Sequence, residues 1–367
     1  MWPGSAGQRH VVDSVSNGMP RFLHIFLCCI TVIGIPAGES PATPVTIPPA
    51  EKFLGSTWGP FPSAKTGGLV GDHGERSDPL YGTLFRQITP ENAGKWGIVE
   101  SVRGTLDWRG LDAMFDFAVE KNLIIKHHGF VWGMQQPDWH KSVSSAEAMQ
   151  EAIDGWMRAF YQRYAQRMDR IHCIEALNEP LSQPAAYRGR IDGSGATGWD
   201  WVVYCYERAR ALAAESGVHP KMILNEWGVE TPGKKQDQFK RICQILIERK
   251  LIEVIGLQGH FLEKTKPETL KKGLDVMAAL GLPLFITEFE LDIKDDQQHL
   301  AQFRALFPVL WEHPAVQGVT FWGHQEGSMW RKHGWLVTKD GKDRPAMTWL
   351  REYLAKQGYP GAAPAAK

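Results

Sequence analysis

The sequence predicts an α/β fold of the (β/α)8 TIM-barrel class, built as one domain. Eight short apolar runs rich in β-branched residues read as strands buried on both faces. Stretches with helical apolar spacing alternate with them, as in a parallel barrel. A doubly wound open sheet is the competing arrangement, but no GxGxxG follows the first strand.

The strand candidates are residues 52–56, 84–88, 123–128, 171–177, 221–225, 254–258, 283–287 and 317–322. Between them, residues 110–121 carry Leu111, Met114, Phe115 and Ala118 at helical spacing. Residues 145–168 place Met149, Ile153, Trp156, Phe160 and Tyr164 on one side. The helical series continues over 199–216, 235–250, 267–279 and 296–310 and closes at 344–356. The domain is therefore expected over 52–356, with 357–367 as a flexible tail.

In such a barrel, function gathers at the C-terminal ends of the strands. The second strand runs into Glu91 and Asn92, the third into His128, and the fourth into Asn178-Glu179. The fifth runs into Asn225-Glu226-Trp227, the sixth into Gln258-Gly259-His260, the seventh into Glu288, and the eighth into Trp322. One such group would be an ordinary satisfied core residue. Several at matching positions predict convergence on one mouth.

Glu179 and Glu288 stand out, because each ends an apolar run. A carboxylate there is costly to bury without a partner or a task. Two of them on separate strands point to the acid/base and nucleophile pair of a glycosidase. Glu290, Asp292, Glu226, Asp138 and Glu175 read as supporting or structural acids.

Composition narrows the classes further. There are 41 basic and 41 acidic residues, a balance that argues against a nucleic-acid partner. Fifteen tryptophans supply core volume and flat surfaces able to stack on sugar rings. The five cysteines show no zinc spacing. Cys205 and Cys243 could pair, though sequence cannot set their distance.

At the N-terminus, Arg21 precedes an apolar stretch over 22–36, with small residues at Ala37-Gly38. This fits a secretory signal peptide within an extension over 1–38, and so a secreted or periplasmic protein. An uncleaved membrane anchor is the alternative. Met19 is a plausible true start. A Pro/Thr-rich linker follows over 39–51.

Several strings resemble glycoside hydrolase family 10, the endo-β-1,4-xylanase family. Thr89-Pro-Glu-Asn-Ala-Gly-Lys95-Trp96 is similar to its TPENxxKW segment, and His128-Gly-Phe-Val-Trp132 with Gln135 and Pro137 to its HTLVWHxQxP segment. Asn178-Glu179, Gln258-Gly-His260, Ile286-Thr-Glu288-Phe-Glu290 and Trp322-Gly323 with Ser328-Met-Trp330-Arg331 resemble the remaining motifs, in the family's order. The resemblance implies Glu179 as acid/base, Glu288 as nucleophile, and retention, with a carboxylate spacing of ~5–5.5 Å. It implies glycone contacts from Glu91, Asn92, Lys95, His128, Trp132 and Gln135, and aromatic walls from Trp322 and Trp330. Asn178 is expected at the sugar 2-hydroxyl, and Gln258 and His260 around Glu288 or that hydroxyl. Lys95 is expected to find a carboxylate, Glu91 being the candidate, or sugar hydroxyls. The partner would be a polysaccharide, xylan or a related β-1,4 glycan, taken by a monomer with no cofactor and no metal. A retaining glycosidase for another glycan, or a silent carbohydrate-binding barrel, are the alternatives.

Six positions depart from the family pattern. Gly133 stands where a second His is usual, and Asn225-Glu226-Trp227-Gly228 where Asn-Asp-Tyr-Asn is usual. Glu290 replaces an Asp, and Gly94 a bulkier residue. These put specificity in question more than mechanism.

Overall fold

A computed structural model describes residues 52–63 and 65–362. The signal-peptide and linker expectations lie outside the described residues. Eight parallel strands close into a barrel: β1 (Phe53–Trp58), β2 (Gln87–Pro90), β3 (Ile124–His127), β4 (Ile171–Asn178), β5 (Lys221–Glu226), β6 (Val254–Leu257), β7 (Leu284–Phe289) and β8 (Val316–Phe321). Each pairs with its sequence neighbours, and β1 closes on β8 with Phe53 opposite Gly318. Their almost unbroken apolar character follows from burial on both faces.

The helices cover the barrel: α1 (Arg109–Glu120), α2 (Ala146–Tyr164), α3 (Asp200–Glu215), α4 (Lys234–Glu248), α5 (Pro267–Ala278), α6 (Asp296–Glu312) and α7 (Pro345–Lys356). Their starts follow local chemistry. Ser145 accepts a hydrogen bond from the Ala148 amide, and Asp295 one from Gln298, each satisfying an orphan donor of the first turn. Pro267 and Pro345 stand where a missing N–H costs nothing.

The barrel interior is layered. Its floor is apolar, formed by Phe53, Cys173, Ile223, Val254 and Phe285. Above it lie polar groups, among them Gln87, Lys126, Glu175, Asn225 and Thr287, all fully buried. Thr320 donates to Gln87 Oε1 at 2.6 Å, and Thr287 to Asn225 Oδ1 at 2.6 Å. The polar layer thus tethers the strands directly beneath the C-terminal rim.

Two element boundaries are corrected. Leu84 and Phe85 are not in a strand. Their amides turn back onto the Leu80 carbonyl at 3.0 and 2.8 Å, while their side chains pack in the core. The second helix stops at Tyr164 and tightens into a 3-10 turn over Ala165–Arg170 before β4 begins. Within the expected tail, Tyr359 and Ala362 are buried, while residues 357, 358, 360 and 361 are exposed. The Tyr359 hydroxyl accepts from the Leu54 amide at 2.9 Å and donates to the Leu84 carbonyl at 3.2 Å. Cys205 and Cys243 are buried free thiols and form no disulfide. No helix among the described residues is long and apolar enough to cross a membrane.

Candidate active site

The rim of the barrel opens into a cleft of about 590 Å³. It is lined by Glu91, Asn92 and Lys95 after β2, His128, Trp132 and Gln135 after β3, and Asn178 and Glu179 at the end of β4. Gln258 and His260 after β6, Glu288 in β7, and Trp322 and Trp330 after β8 complete the set. The structure therefore gathers every site residue expected from sequence into one cleft. Met134, Gln183, Trp227 and Phe261 also line it. Trp227 was visible as a departure from the family pattern. The other three sit on loops and give no periodic signal.

Three non-glycine residues at this rim hold positive φ: Gln135 at 47°, Glu179 at 54° and Phe261 at 60°. Left-handed backbone at such residues costs of order 1 kcal/mol or more and persists only where the surroundings fix it. At Glu179 the fixing contacts are explicit. Its amide donates to the Asn225 carbonyl at 3.0 Å, and its carbonyl accepts from the Gln183 amide at 2.9 Å. The strand is thereby ended and the carboxyl turned into the cleft.

The two carboxyl groups are linked through amide side chains. Gln258 Nε2 donates to Glu179 Oε1 at 3.0 Å and lies 3.4 Å from Asn178 Oδ1. Asn225 Nδ2 donates to Asn178 Oδ1 at 3.2 Å and to Glu288 Oε1 at 2.7 Å. Gln258 thus bonds Glu179 and not Glu288, one of the two partners expected for it, the other being the sugar 2-hydroxyl. His260 takes the expected place, with Nε2 3.2 Å from Glu288 Oε2 and Nδ1 2.9 Å from Glu290 Oε1. Glu290 in turn receives Arg331 at 3.2 Å.

Opposite environments follow. Burial pushes the Glu179 carboxyl up to about 7, with the Gln258 bond opposing and the nearby Glu288 charge adding to it. Burial also opposes ionisation of Glu288. Its pKa nevertheless lies below the usual value, because the His128 and His260 imidazoles and the Lys126 ammonium face it and His260 donates to it. Burial holds His128 itself down, so His260 is the stronger source of charge. Burial works against its imidazolium too, but Glu290 and Glu288 raise it to about 10. Two carboxyls whose environments push them apart are the pattern of an acid and a nucleophile.

Beneath the cleft, Glu175 bridges the Lys126 ammonium and His128 Nδ1, the latter at 2.5 Å, with all three buried. Donor atoms of His128, Glu175 and Glu288 lie within 4.8 Å of one another. Glu175 is already engaged by Lys126 and His128, so the positive charge that such a set attracts is supplied by the protein. Burial opposes ionisation of Glu175, yet His128 and Lys126 bring it down to about 2. This carboxylate, depressed from 4.5, contributes stability that is complete above its unfolded pKa. That contribution is lost as pH falls toward the folded value. Glu175→Gln is expected to cost ~3–5 kcal/mol by leaving Lys126 buried without its counter-charge. Urea unfolding between pH 2 and 7 checks this, and the variant should lose that portion of the acid dependence.

Of the two partners expected for Lys95, the carboxylate is not bonded to it. Its ammonium is buried, makes no hydrogen bond, and lies 4.5 Å from the Trp132 ring centroid. Burial lowers it to about 8, while burial raises Glu91 to about 7 against the pull of Lys95. Glu91 is thus an electrostatic neighbour and not a bonded partner, and the Lys95 donors are left for a ligand's hydroxyls. Gly94 has its own reason. A Cβ there would come 2.9 Å from His127 Cε1, so the glycine admits a buried imidazole behind the cleft.

Comparison with known proteins places this geometry. Residues 64–360 match the family model described as Glycosyl hydrolase family 10. Endo-1,4-beta-xylanase B of Cellvibrio japonicus is 33% identical over 304 residues, covering 82% of this chain and 45% of that protein. The chain thus spans less than half the length of that relative. Endo-1,4-beta-xylanase A of Phanerodontia chrysosporium is 25% identical over 310 residues, 81% of this chain and 73% of that protein. In fold, the chain is similar to the Penicillium canescens endo-1,4-beta-xylanase XylE. The TM-score is 0.70 at 17% identity, covering 82% of this chain and 92% of that one. Native xylanase 10B of Thermotoga maritima gives a TM-score of 0.68 at 19% identity, covering 84% and 96%. With a family match across most of its length and the motifs on the expected strands, the chain belongs to glycosyl hydrolase family 10.

Proposed function

We propose that the protein is a retaining endo-β-1,4-xylanase that cleaves internal bonds of xylan by double displacement. The observation that carries this reading is the pairing of Glu179 and Glu288 in one cleft. They are joined through Gln258, Asn178 and Asn225, and their pKa values are driven in opposite directions. Glu288, kept ionised, attacks the anomeric carbon. The bond to the leaving oxygen breaks as Glu179 gives that oxygen its proton. The ester between Glu288 and the sugar is then hydrolysed. Glu179, now a carboxylate, takes a proton from water, and the resulting oxygen displaces Glu288. A pKa near 7 lets Glu179 serve as acid and base in turn.

The cleft supports a sugar chain on either side of this pair. Trp322 and Trp330 offer flat faces near His260 and His128, with ring centroids 5.2 Å (Trp330–His260) and 4.9 Å (Trp322–His128) apart. The unpartnered Lys95 ammonium and the Asn92–Gln135 pair, bonded at 2.8 Å, present polar groups opposite. NMR of xylo-oligosaccharide hydrolysis by the full chain tests the reading. The β-anomer is expected first. Initial release of the α-anomer would overturn retention, and turnover confined to another β-1,4 glycan would overturn the choice of xylan.

A further inference from the structure

The string Gln258-Gly259-His260 reaches both catalytic carboxyls, and a buried acid that does not line the cleft holds its middle residue. Gln258 is tied on both sides. Its amide donates to the Glu226 carbonyl at 3.0 Å, and its carbonyl accepts from the Glu288 amide at 2.8 Å. The chain then turns. Gly259 has φ 83°, and a Cβ there would lie 2.9 Å from Ile286 Cγ2, so the turn requires glycine. The Gly259 amide donates to Glu230 Oε1 at 2.6 Å, a side chain from the loop between β5 and α4.

Glu230 is 1% exposed, and its Oε2 is buried with no hydrogen-bond partner among the described residues. A buried carboxyl left half satisfied is costly and asks for a task. The loop that carries it is fixed from two helices. Gln236 of α4, itself buried, donates to the Val229 carbonyl at 2.8 Å and to the Gly273 carbonyl of α5 at 3.1 Å. A Cβ at position 273 would lie 2.7 Å from the Glu230 carbonyl carbon and closer still to its oxygen. The loop backbone can press on α5 there because the residue is glycine. Burial raises the Glu230 pKa, against the Gly259 amide and the nearby His260 and Lys235 charges, which favour the carboxylate.

We propose that Glu230 is a positioning residue for both catalytic carboxyls at once: by holding the Gly259 amide it sets the turn that carries Gln258 to Glu179 and His260 to Glu288. Release of that amide lets the turn relax, and both side-chain bonds weaken together. Each bond favours the ionised form of the carboxyl it reaches. Weakening them raises Glu179 and Glu288 alike. Activity needs Glu179 protonated and Glu288 ionised, so the alkaline and acid limbs of the rate profile both move upward in pH. Damage confined to packing has no such signature, and loss of the Gln258 bond alone moves one limb.

The inference rests on the glycosidase reading. The pH dependence of kcat/KM for xylotetraose is measured for the full chain and two variants. Glu230→Asp keeps the charge and withdraws the acceptor by one carbon. It is expected to lower kcat about tenfold through misplacement. Both limbs should move upward by about 0.5–1 pH unit, the worth of one hydrogen bond. Glu230→Gln keeps an acceptor at the same reach without the charge, and should restore most of the wild-type profile. A shift of one limb only, or of neither, in Glu230→Asp would overturn the proposal. So would a shift in Glu230→Gln as large as in Glu230→Asp. If Glu230→Asp does not fold, Gly273→Ala displaces the same loop from the α5 side and is read by the same two limbs. Wild-type protein that hydrolyses no β-xyloside would remove the glycosidase reading and this inference with it. A two-limbed wild-type profile leaves that reading standing whatever the variants do.

Discussion

Glu288→Ala is expected to lower xylo-oligosaccharide turnover by ~10⁴-fold or more, the scale of losing a covalent nucleophile. Its surroundings give the reason. Asn225 holds Oε1 at 2.7 Å and His260 approaches Oε2 at 3.2 Å, so the carboxylate is both ionised and aimed. Alanine leaves a gap beside the anomeric carbon while Glu179 still protonates the leaving oxygen. A small anion such as azide can enter that gap. Turnover of an activated aryl β-xylobioside should therefore return with azide, in one displacement, giving the α-glycosyl azide. Wild-type rates from the variant would remove Glu288 from the nucleophile role. A β-azide would place the nucleophile elsewhere.

His260 makes a related point about what sequence could reveal. The Gln258-Gly259-His260 string and the strand ends were legible because buried parallel strands leave continuous apolar runs, and their polar ends then stand out. The partner of each group was not legible. Gln258 turned out to serve Glu179, and Lys95 to lie over Trp132 without a bonded carboxylate. Such pairings are set by side-chain reach across the barrel, between strands remote in sequence. Boundaries failed for a different reason. Leu84 and Phe85 are as apolar as any strand residue, because a buried turn needs apolar side chains too. The cleft residues missed entirely, Gln183, Phe261 and Met134, lie on loops whose conformation is dictated by contacts such as Gly133 against the Gln183 carbonyl.

Glu179→Ala is expected to separate the two halves of the reaction. A xylo-oligosaccharide, whose leaving oxygen needs a proton, should lose ~10²–10⁴-fold in kcat/KM. A dinitrophenyl glycoside, whose leaving group departs unprotonated, should lose far less in that parameter and become limited by breakdown of the glycosyl-enzyme. Azide should accelerate that second step and yield the β-glycosyl azide, the mirror of the Glu288 result. The pH profile gives an independent check. Activity requires Glu179 protonated and Glu288 ionised. In the wild type it should therefore fall as pH rises through about 7. It should fall again at low pH as the depressed Glu288 protonates. Glu91 is also raised to about 7 by burial, so the alkaline limb has two candidate owners. Loss of that limb in Glu179→Ala with its survival in Glu91→Gln would assign it to Glu179, and the opposite pattern would move the acid role away from Glu179. The bond from Gln258 to Glu179 Oε1 sharpens this test. It favours the carboxylate, so Gln258→Leu should carry the alkaline limb upward in pH while leaving the acid limb, governed by Glu288 and His260, in place.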